Sequence, residues 1–144
     1  MDKNRVEAFS DGVFGFAATL LVIELRLPND PSVYEALWAM GPRILAFVLS
    51  FLMVAMYWVA HHSMFHFVSK VDRTLLWLNN FSLLFVTFLP FPTAVLGNHP
   101  LDRGAIAFYG SALVLLNTMG TLVWSYVARH QNLSDKSLTP RIAR

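Results

Sequence analysis

Three kinds of polar side chain occur in otherwise apolar parts of this sequence, and each could carry chemistry. Asp11 is a carboxylate beside an apolar run, where a charge costs a few kcal/mol and is usually paired or functional. His62 and His66 are four residues apart, so both imidazoles share one face of a helix and could bind a metal or relay a proton. Asn79 and Asn80 are amides that need hydrogen-bond partners when they are buried.

The sequence gives little support to an enzyme or a metal site. The His62/His66 pair lacks the glutamate that a zinc hydrolase helix carries between its histidines, and no third ligand is evident. The chain has no cysteine, which excludes disulfides and thiolate ligands. No Ser-His-Asp set, glycine-rich phosphate loop or pair of intramembrane carboxylates is present. We therefore expect no enzyme activity, no metal and no cofactor, with a metal-dependent hydrolase as the weakest alternative.

Membrane-spanning helices must position these side chains. The 144 residues are 56% hydrophobic and 14% charged, whereas soluble domains average about 25% charged. Residues 44–69, 74–101 and 104–128 contain no Asp, Glu, Lys or Arg, and each run exceeds the roughly 20 residues that span a bilayer. A shorter run, 12–23, extends to about 20 residues if Asp11 and Glu24 sit at its ends or face protein. The sequence predicts an all-α polytopic membrane bundle of about four transmembrane helices.

Prolines, glycines and charges indicate where the spans begin and end. The predicted spans are 5–27, 42–67, 74–96 and 104–128. A polar cytoplasmic tail is predicted over residues 129–144, and a short interfacial helix within residues 31–40. Pro90 and Pro92 interrupt the third span, and a break of this kind in lipid must be surrounded by protein or line a cavity.

The lysines and arginines predict the orientation of the bundle. Eight of the eleven lie at the N-terminus, in the second loop and in the tail, and three lie on the other side. The positive-inside rule therefore places both termini in the cytoplasm of a multi-pass cell-membrane protein surrounded by lipid. The basic residues form no stripe of the kind that binds phosphates, so no nucleic-acid partner is expected.

One face of the first span carries apolar residues at helical spacing. This stripe begins at Phe9 and continues through Phe16, Thr19, Leu20, Ile23 and Leu27. It is either a packing face or a hydrophobic constriction along a pathway. Asp11 is expected to meet a side chain from another helix, because Arg5, six residues earlier, does not share its face. The histidines of the second span are its candidate partners.

Three groups of residues along the chain form a specific combination of motifs. They are Arg5-x-x-x-Phe9-Ser10-Asp11, Trp58 with His61-His62, and Leu75-Leu76-Trp77-Leu78-Asn79 followed by Leu89-Pro90-Phe91-Pro92-Thr93-Ala94. Together they resemble the transmembrane protein 175 family, which consists of potassium-permeable channels of endolysosomes and prokaryotes. The resemblance covers nearly the whole chain.

The resemblance implies a homotetramer whose first helices line a central pore, with potassium ions as the permeant species and no TVGYG-type filter. The narrowest apolar ring then falls at Phe16. The pore lining that it implies is Phe16, Thr19, Leu20, Ile23 and Leu27. A polar network that ties the pore helix to its neighbours is implied at Arg5, Ser10, Asp11, His62, Trp77 and Asn79.

Two differences from the family keep other functions open. Relatives usually carry Ile or Leu where this chain has Phe16, and prokaryotic members have six spans where four are predicted here. A non-conducting membrane interaction protein is therefore one alternative. A proton pathway that uses Asp11 with His61 or His62 is another.

Overall fold

The computed structural model describes residues 2–27 and 32–130, so most of the predicted tail lies outside the described residues. Within them six helices follow one another: α1 (Lys3–Ile23), α2 (Val33–Ala39), α3 (Gly41–His66), α4 (Arg73–Phe88), α5 (Pro90–Asn98) and α6 (Arg103–Arg129). By length and composition, α1, α3, α4 together with α5, and α6 can each cross a membrane. The predicted all-α bundle of four spans is confirmed, and α2 is the short helix expected within residues 31–40.

Two clusters of buried apolar residues hold the bundle together. The larger joins α1, α3, α4 and α6 and includes Phe14, Leu21, Val54, Leu83 and Leu116. The smaller lies toward the end of α3 and the beginnings of α1 and α4, and it includes Val6, Phe65, Leu75, Val123 and Val127. Because α1 contributes to both clusters, its position is set by packing along most of its length.

Aspartates fix the first residues of three spans. Asp2, Asp72 and Asp102 precede α1, α4 and α6, and each side chain accepts a hydrogen bond from a backbone N–H of the first turn at 2.7–3.1 Å. Such N-caps satisfy amide groups that have no partner inside the helix. The same carboxylates also place negative charge where the helix dipole is positive.

Asp72 also joins the loop before α4 to the end of α6. Its second oxygen, Oδ2, accepts a hydrogen bond from the Tyr126 hydroxyl at 2.6 Å, and the Tyr126 ring stacks on His130. Burial of the carboxyl opposes its ionisation, but the hydrogen bonds from Tyr126 and from the Leu75 N–H outweigh that effect. The net result is that the pKa of Asp72 is lowered from its usual value.

We expect Asp72→Asn to lower the unfolding temperature by a few degrees at pH 7, because asparagine keeps the cap but removes the charge that strengthens the bond from Tyr126. The folded-state pKa is lowered, so this contribution is complete above the unfolded carboxyl pKa of about 4 and is lost as the pH falls through the folded value. Thermal unfolding in detergent from pH 7 to pH 3 measures the difference between the two proteins. A difference that persists unchanged in acid would contradict the assignment.

The third span is broken where α4 meets α5. α4 ends at Phe88 and α5 begins at Pro90, with Leu89 between them. Proline has no N–H to continue the helical ladder. Leu89, Pro90 and Pro92 are all buried, so the interruption is shielded by the rest of the chain, which is the condition for tolerating it at membrane depth.

Three hydroxyl groups meet beside this break. The Thr93 hydroxyl donates to Ser50 Oγ at 2.8 Å and has Leu89 O as an alternative acceptor at the same distance. Ser50 Oγ lies 2.9 Å from the Tyr109 hydroxyl. Ser50 and Thr93 are buried. These contacts connect α3, α5 and α6 at the point where the third span loses its own backbone hydrogen bonds.

α5 approaches α3 most closely at Gly97. A Cβ at this position would lie 3.2 Å from the Cα of Arg43, which is a backbone atom and cannot rotate away. We expect Gly97→Ala to destabilise the protein by about 1 kcal/mol, since the overpacking exceeds the gain in helix propensity.

Gly110→Ala is the matched control, because a Cβ at Gly110 meets nothing within 4 Å. There the helix propensity acts alone and should stabilise the protein by up to about 1 kcal/mol. Denaturation midpoints of the two variants are therefore expected to move in opposite directions. Movement in the same direction would show that the approach at Gly97 is not tight.

Candidate functional site

α1 presents two contrasting faces. The face toward the bundle is buried and consists of Val6, Ser10, Phe14, Ala17 and Leu21. On the opposite face the side chains of Phe9, Phe16 and Ile23 are 60%, 65% and 57% exposed. Because they recur every seven residues, they form a ridge of large apolar side chains along the exposed face of α1.

Two further residues of the predicted stripe lie on or near this ridge. Thr19 is exposed, and its hydroxyl donates to the carbonyl oxygen of Phe16 at 2.8 Å. Leu20 is half-buried at the edge of the ridge, facing α4 and α5. The prediction that Leu27 continues the helical stripe is wrong, because α1 ends at Ile23. Leu27 precedes Pro28, and a proline disfavours helical backbone geometry in the residue before it.

A chain of three polar side chains connects the buried face of α1 to α4 and α3. His61 Nε2 lies 2.7 Å from Asn79 Oδ1, and the imidazole N–H is the donor because an amide oxygen only accepts. Asn79 Nδ2 donates to Ser10 Oγ at 3.0 Å. The Ser10 hydroxyl in turn donates to the carbonyl oxygen of Val6 at 2.8 Å. Ser10 and Asn79 are completely buried, and within the described residues no fully buried side-chain nitrogen or oxygen lacks a partner.

The histidine in this network is His61, and the expectation that it would be His62 is wrong. His61 lies between the rings of Phe14 and Phe65, with centroid distances of 5.4 and 4.5 Å. His62 is exposed and stacks on Trp58 at 5.8 Å. Neighbouring residues on a helix point about 100° apart, so only one of two adjacent histidines can face Asn79.

Asp11 finds its partner on another helix, as expected, but the partner is Trp58 and not a histidine. The Trp58 Nε1–H donates to Asp11 Oδ1 at 2.8 Å. Ser10 and Asp11 are adjacent, and their side chains point in different directions. Ser10 contacts α4, and Asp11 contacts α3. These two contacts together fix the rotation of α1 about its own axis.

The structure does not bring Arg5 and Trp77 into the network. Arg5 is exposed. It lies eleven residues before Phe16, or about three helical turns, so both side chains are on the exposed face of α1. Trp77 is 58% exposed and contacts Phe81 at 6.0 Å between centroids. It is two residues from Asn79 and therefore points to the other side of α4.

The site contains few groups that could do covalent chemistry. Within residues 2–27 and 32–130, no group of three or more His, Cys, Asp or Glu side chains is placed to bind a metal ion. His66, the second member of the spaced pair, is exposed and contacts Phe67. What remains is an apolar ridge held in a fixed orientation by neutral hydrogen bonds and one carboxylate.

The chain is similar to several known channel proteins. The family model described as endosomal/lysosomal potassium channel TMEM175 matches residues 5–90, which contain α1 from Arg5 onward and the hydrogen-bonded side chains of Ser10, Asp11, Trp58, His61 and Asn79. A potassium channel of Streptomyces collinus is 37% identical over 150 residues, covering 99% of this chain and 73% of that protein. The human endosomal/lysosomal proton channel TMEM175 is 36% identical over 146 residues, covering 91% of this chain and 29% of the human protein.

The fold is also similar to that of a solved channel. The crystal structure of a lysosomal potassium-selective channel TMEM175 homolog from Chamaesiphon minutus superposes with a TM-score of 0.83 at 33% identity. The match covers 90% of this chain and 73% of that chain. With a family model over more than half of its length, and with relatives and a structure that match nearly all of it, this chain belongs to the TMEM175 family of ion channels.

Proposed function

We propose that this chain is a subunit of a potassium-permeable channel in which four copies turn the exposed ridge of α1 toward a shared pore. The observation that carries the proposal is the ridge itself, since Phe9, Phe16 and Ile23 are more than half exposed on a helix whose other face is buried. Packing within one chain does not explain this exposed face, whereas a pore lining in a member of an ion-channel family would.

The constriction would lie at Phe16 and select ions by dehydration. α1 is an uninterrupted helix from Lys3 to Ile23, so its carbonyl oxygens are engaged in helical hydrogen bonds and cannot replace the water around an ion. An ion that passes an apolar ring must lose hydration water. Potassium is less strongly hydrated than sodium and loses less free energy, which gives a modest preference for potassium.

The polar networks have a positioning role in this proposal. Asn79 holds Ser10 from α4, and Trp58 holds Asp11 from α3. If either contact were lost, α1 could turn about its axis and move Phe16 away from the pore. Asp11 would therefore organise the helices without binding the permeant ion.

The proposed orientation has both termini on the cytoplasmic side of the cell membrane. Lys3 and Arg5 precede the apolar part of α1, and Lys70 and Arg73 flank the loop between α3 and α4. This distribution of basic residues is the one that the positive-inside rule associates with the cytoplasm.

Liposome flux of the purified chain tests the proposal. We expect a potassium gradient to drive more flux than an equal sodium gradient, and native mass spectrometry of the same sample to give a tetramer. Empty liposomes are the control. Absence of flux from folded, oligomeric protein would overturn the channel proposal and leave a membrane interaction protein as the best account.

A proton pathway is the second candidate, because the animal relatives are named proton channels. The hydrogen-bonded series from His61 through Asn79 and Ser10 supplies polar groups, but it ends at the Val6 carbonyl oxygen, and no side chain among residues 2–27 and 32–130 continues it from there. A pH-sensitive dye inside potassium-free liposomes separates the two functions. Proton flux without potassium would favour the second candidate.

A further inference from the structure

A groove opens on the outer surface of the bundle, on the side away from the exposed ridge of α1. Its walls are the second half of α3 and the second half of α6, and α4 forms much of its floor. The cavity volume is about 410 Å³, which lies within the range of pockets that bind small molecules, roughly 300–1,000 Å³. Most of its lining is apolar.

One buried polar group in the groove has no partner. Ser82 is only 8% exposed, it lines the floor, and its side chain makes no hydrogen bond among the residues that the structure describes. Among the described residues, every fully buried side-chain nitrogen or oxygen has a hydrogen-bond partner. Since the Ser82 oxygen has none, it cannot be fully buried. It must be accessible from the groove that Ser82 lines. Tyr57 and Asn117 line the walls and make no side-chain hydrogen bonds there either.

The shape of the groove limits what can occupy it. Phe67 and Trp124, which both line the groove, meet edge to face with centroids 6.4 Å apart. The walls belong to two helices that can each cross a membrane, so we expect the groove to be reached from the lipid. Along α6 the lining extends only from Leu116 to Trp124, about 12 Å of helix. A transmembrane helix of another chain would contact a span over about 30 Å. A plain acyl chain would fit the apolar walls but would leave the Ser82 hydroxyl unpaired, which is costly in lipid.

We propose that this groove is a binding site for a small uncharged amphiphile that enters from the bilayer, with an apolar body between α3 and α6 and a hydroxyl-type head that hydrogen-bonds Ser82. The head group must both accept and donate, because Ser82, Tyr57 and Asn117 offer both kinds of partner. This inference concerns binding and does not depend on the proposed ion conduction.

The occupant of the groove would lie against residues that position α1. Phe14 of α1 forms part of the floor, and His61, which bonds Asn79, forms part of the wall. A bound molecule would therefore contact both the pore helix and the network that fixes its rotation. Binding at this place can reach α1 without entering the pore.

Photolabelling with a photoreactive diazirine derivative of octanol tests the site. The purified protein in liposomes is irradiated with the probe, and the labelled residues are mapped by mass spectrometry. We expect the label to concentrate on residues 57–67, at the end of α3, and on residues 116–124 of α6. Excess unlabelled octanol should compete, whereas octane, which has no hydroxyl, should compete less well.

Two variants and one matched control locate the binding. Gly120→Leu puts a side chain into the groove without an internal clash, since a Cβ there meets nothing within 4 Å, and it should reduce labelling about tenfold. Ser82→Ala should weaken competition by octanol about threefold to tenfold. Gly110→Leu, on the same helix but outside the groove, has an equally open Cβ position and should leave labelling unchanged.

Two results would overturn the proposal. Label spread evenly over the lipid-facing surface, with no reduction in Gly120→Leu, would mean that the groove has no affinity of its own. Protection of the groove residues from the label, together with cross-links between copies at these positions when a bifunctional cross-linker is added, would mean that another copy of the chain fills it.

Discussion

Asn79→Ala should destabilise the bundle by about 2–4 kcal/mol. The substitution removes both hydrogen bonds of the completely buried amide and leaves the His61 N–H without an acceptor inside the protein. An unsatisfied buried group costs about 1–3 kcal/mol, and the cavity left by the side chain adds to this. At membrane depth there is no bulk water to compensate for the loss.

Thermal or denaturant unfolding in detergent, followed by circular dichroism, measures this effect. Asn80→Ala is the matched control, since it makes the same chemical change one residue further along α4 at a half-buried position outside the network. We expect its unfolding midpoint to change little. Equal losses in the two variants would show that the network does not hold α1.

Phe16→Ala is the second substitution with a large expected effect, and it should raise potassium flux about tenfold. The Phe16 side chain is 65% exposed, so the fold should tolerate its removal. In an assembled pore the loss of four phenyl rings would widen the apolar constriction and lower the dehydration barrier, and about 1.4 kcal/mol corresponds to a tenfold change in rate. The preference for potassium over sodium should fall at the same time.

Liposome flux with each cation provides the measurement. Phe81→Ala is the control, because Phe81 is also a largely exposed phenylalanine, 51% exposed, but lies on α4 and outside the ridge. It should change neither flux nor selectivity. If Phe16→Ala behaves like Phe81→Ala, the constriction lies elsewhere or α1 does not face the pore.

Much of the architecture could be predicted from the sequence because lipid imposes simple requirements. Long runs without charged residues must cross the lipid as helices, because a helix satisfies its own backbone hydrogen bonds. The charge-free runs of this sequence therefore predict the four spans. Pro90 must interrupt the helix because it has no N–H, and the break occurs at Leu89, immediately before it. The family motifs indicated that Ser10 and Asn79 belong together, and they are directly bonded.

The rotation of each helix could not be predicted in the same way. In a membrane span both faces are apolar, so hydropathy does not tell which side of α1 is buried. The choice between His61 and His62 depends on how α3 turns against α1 and α4, and their spacing of one residue carries no information about that. Trp58 as the partner of Asp11 depends on the same rotation, although its place in the family motifs marked it for attention.

The hydrogen bond from Ser10 to the Val6 carbonyl has a consequence for the synthesis of the protein. Ser10 and its partner Asn79 are 69 residues apart in the chain. At roughly 5–20 residues per second, translation takes about 3–14 s to cover that distance. α1 is therefore synthesised seconds before its partner helix α4. Since the hydroxyl proton of Ser10 is already bonded within its own helix, the nascent first span can wait for its partner without exposing an unpaired donor to lipid.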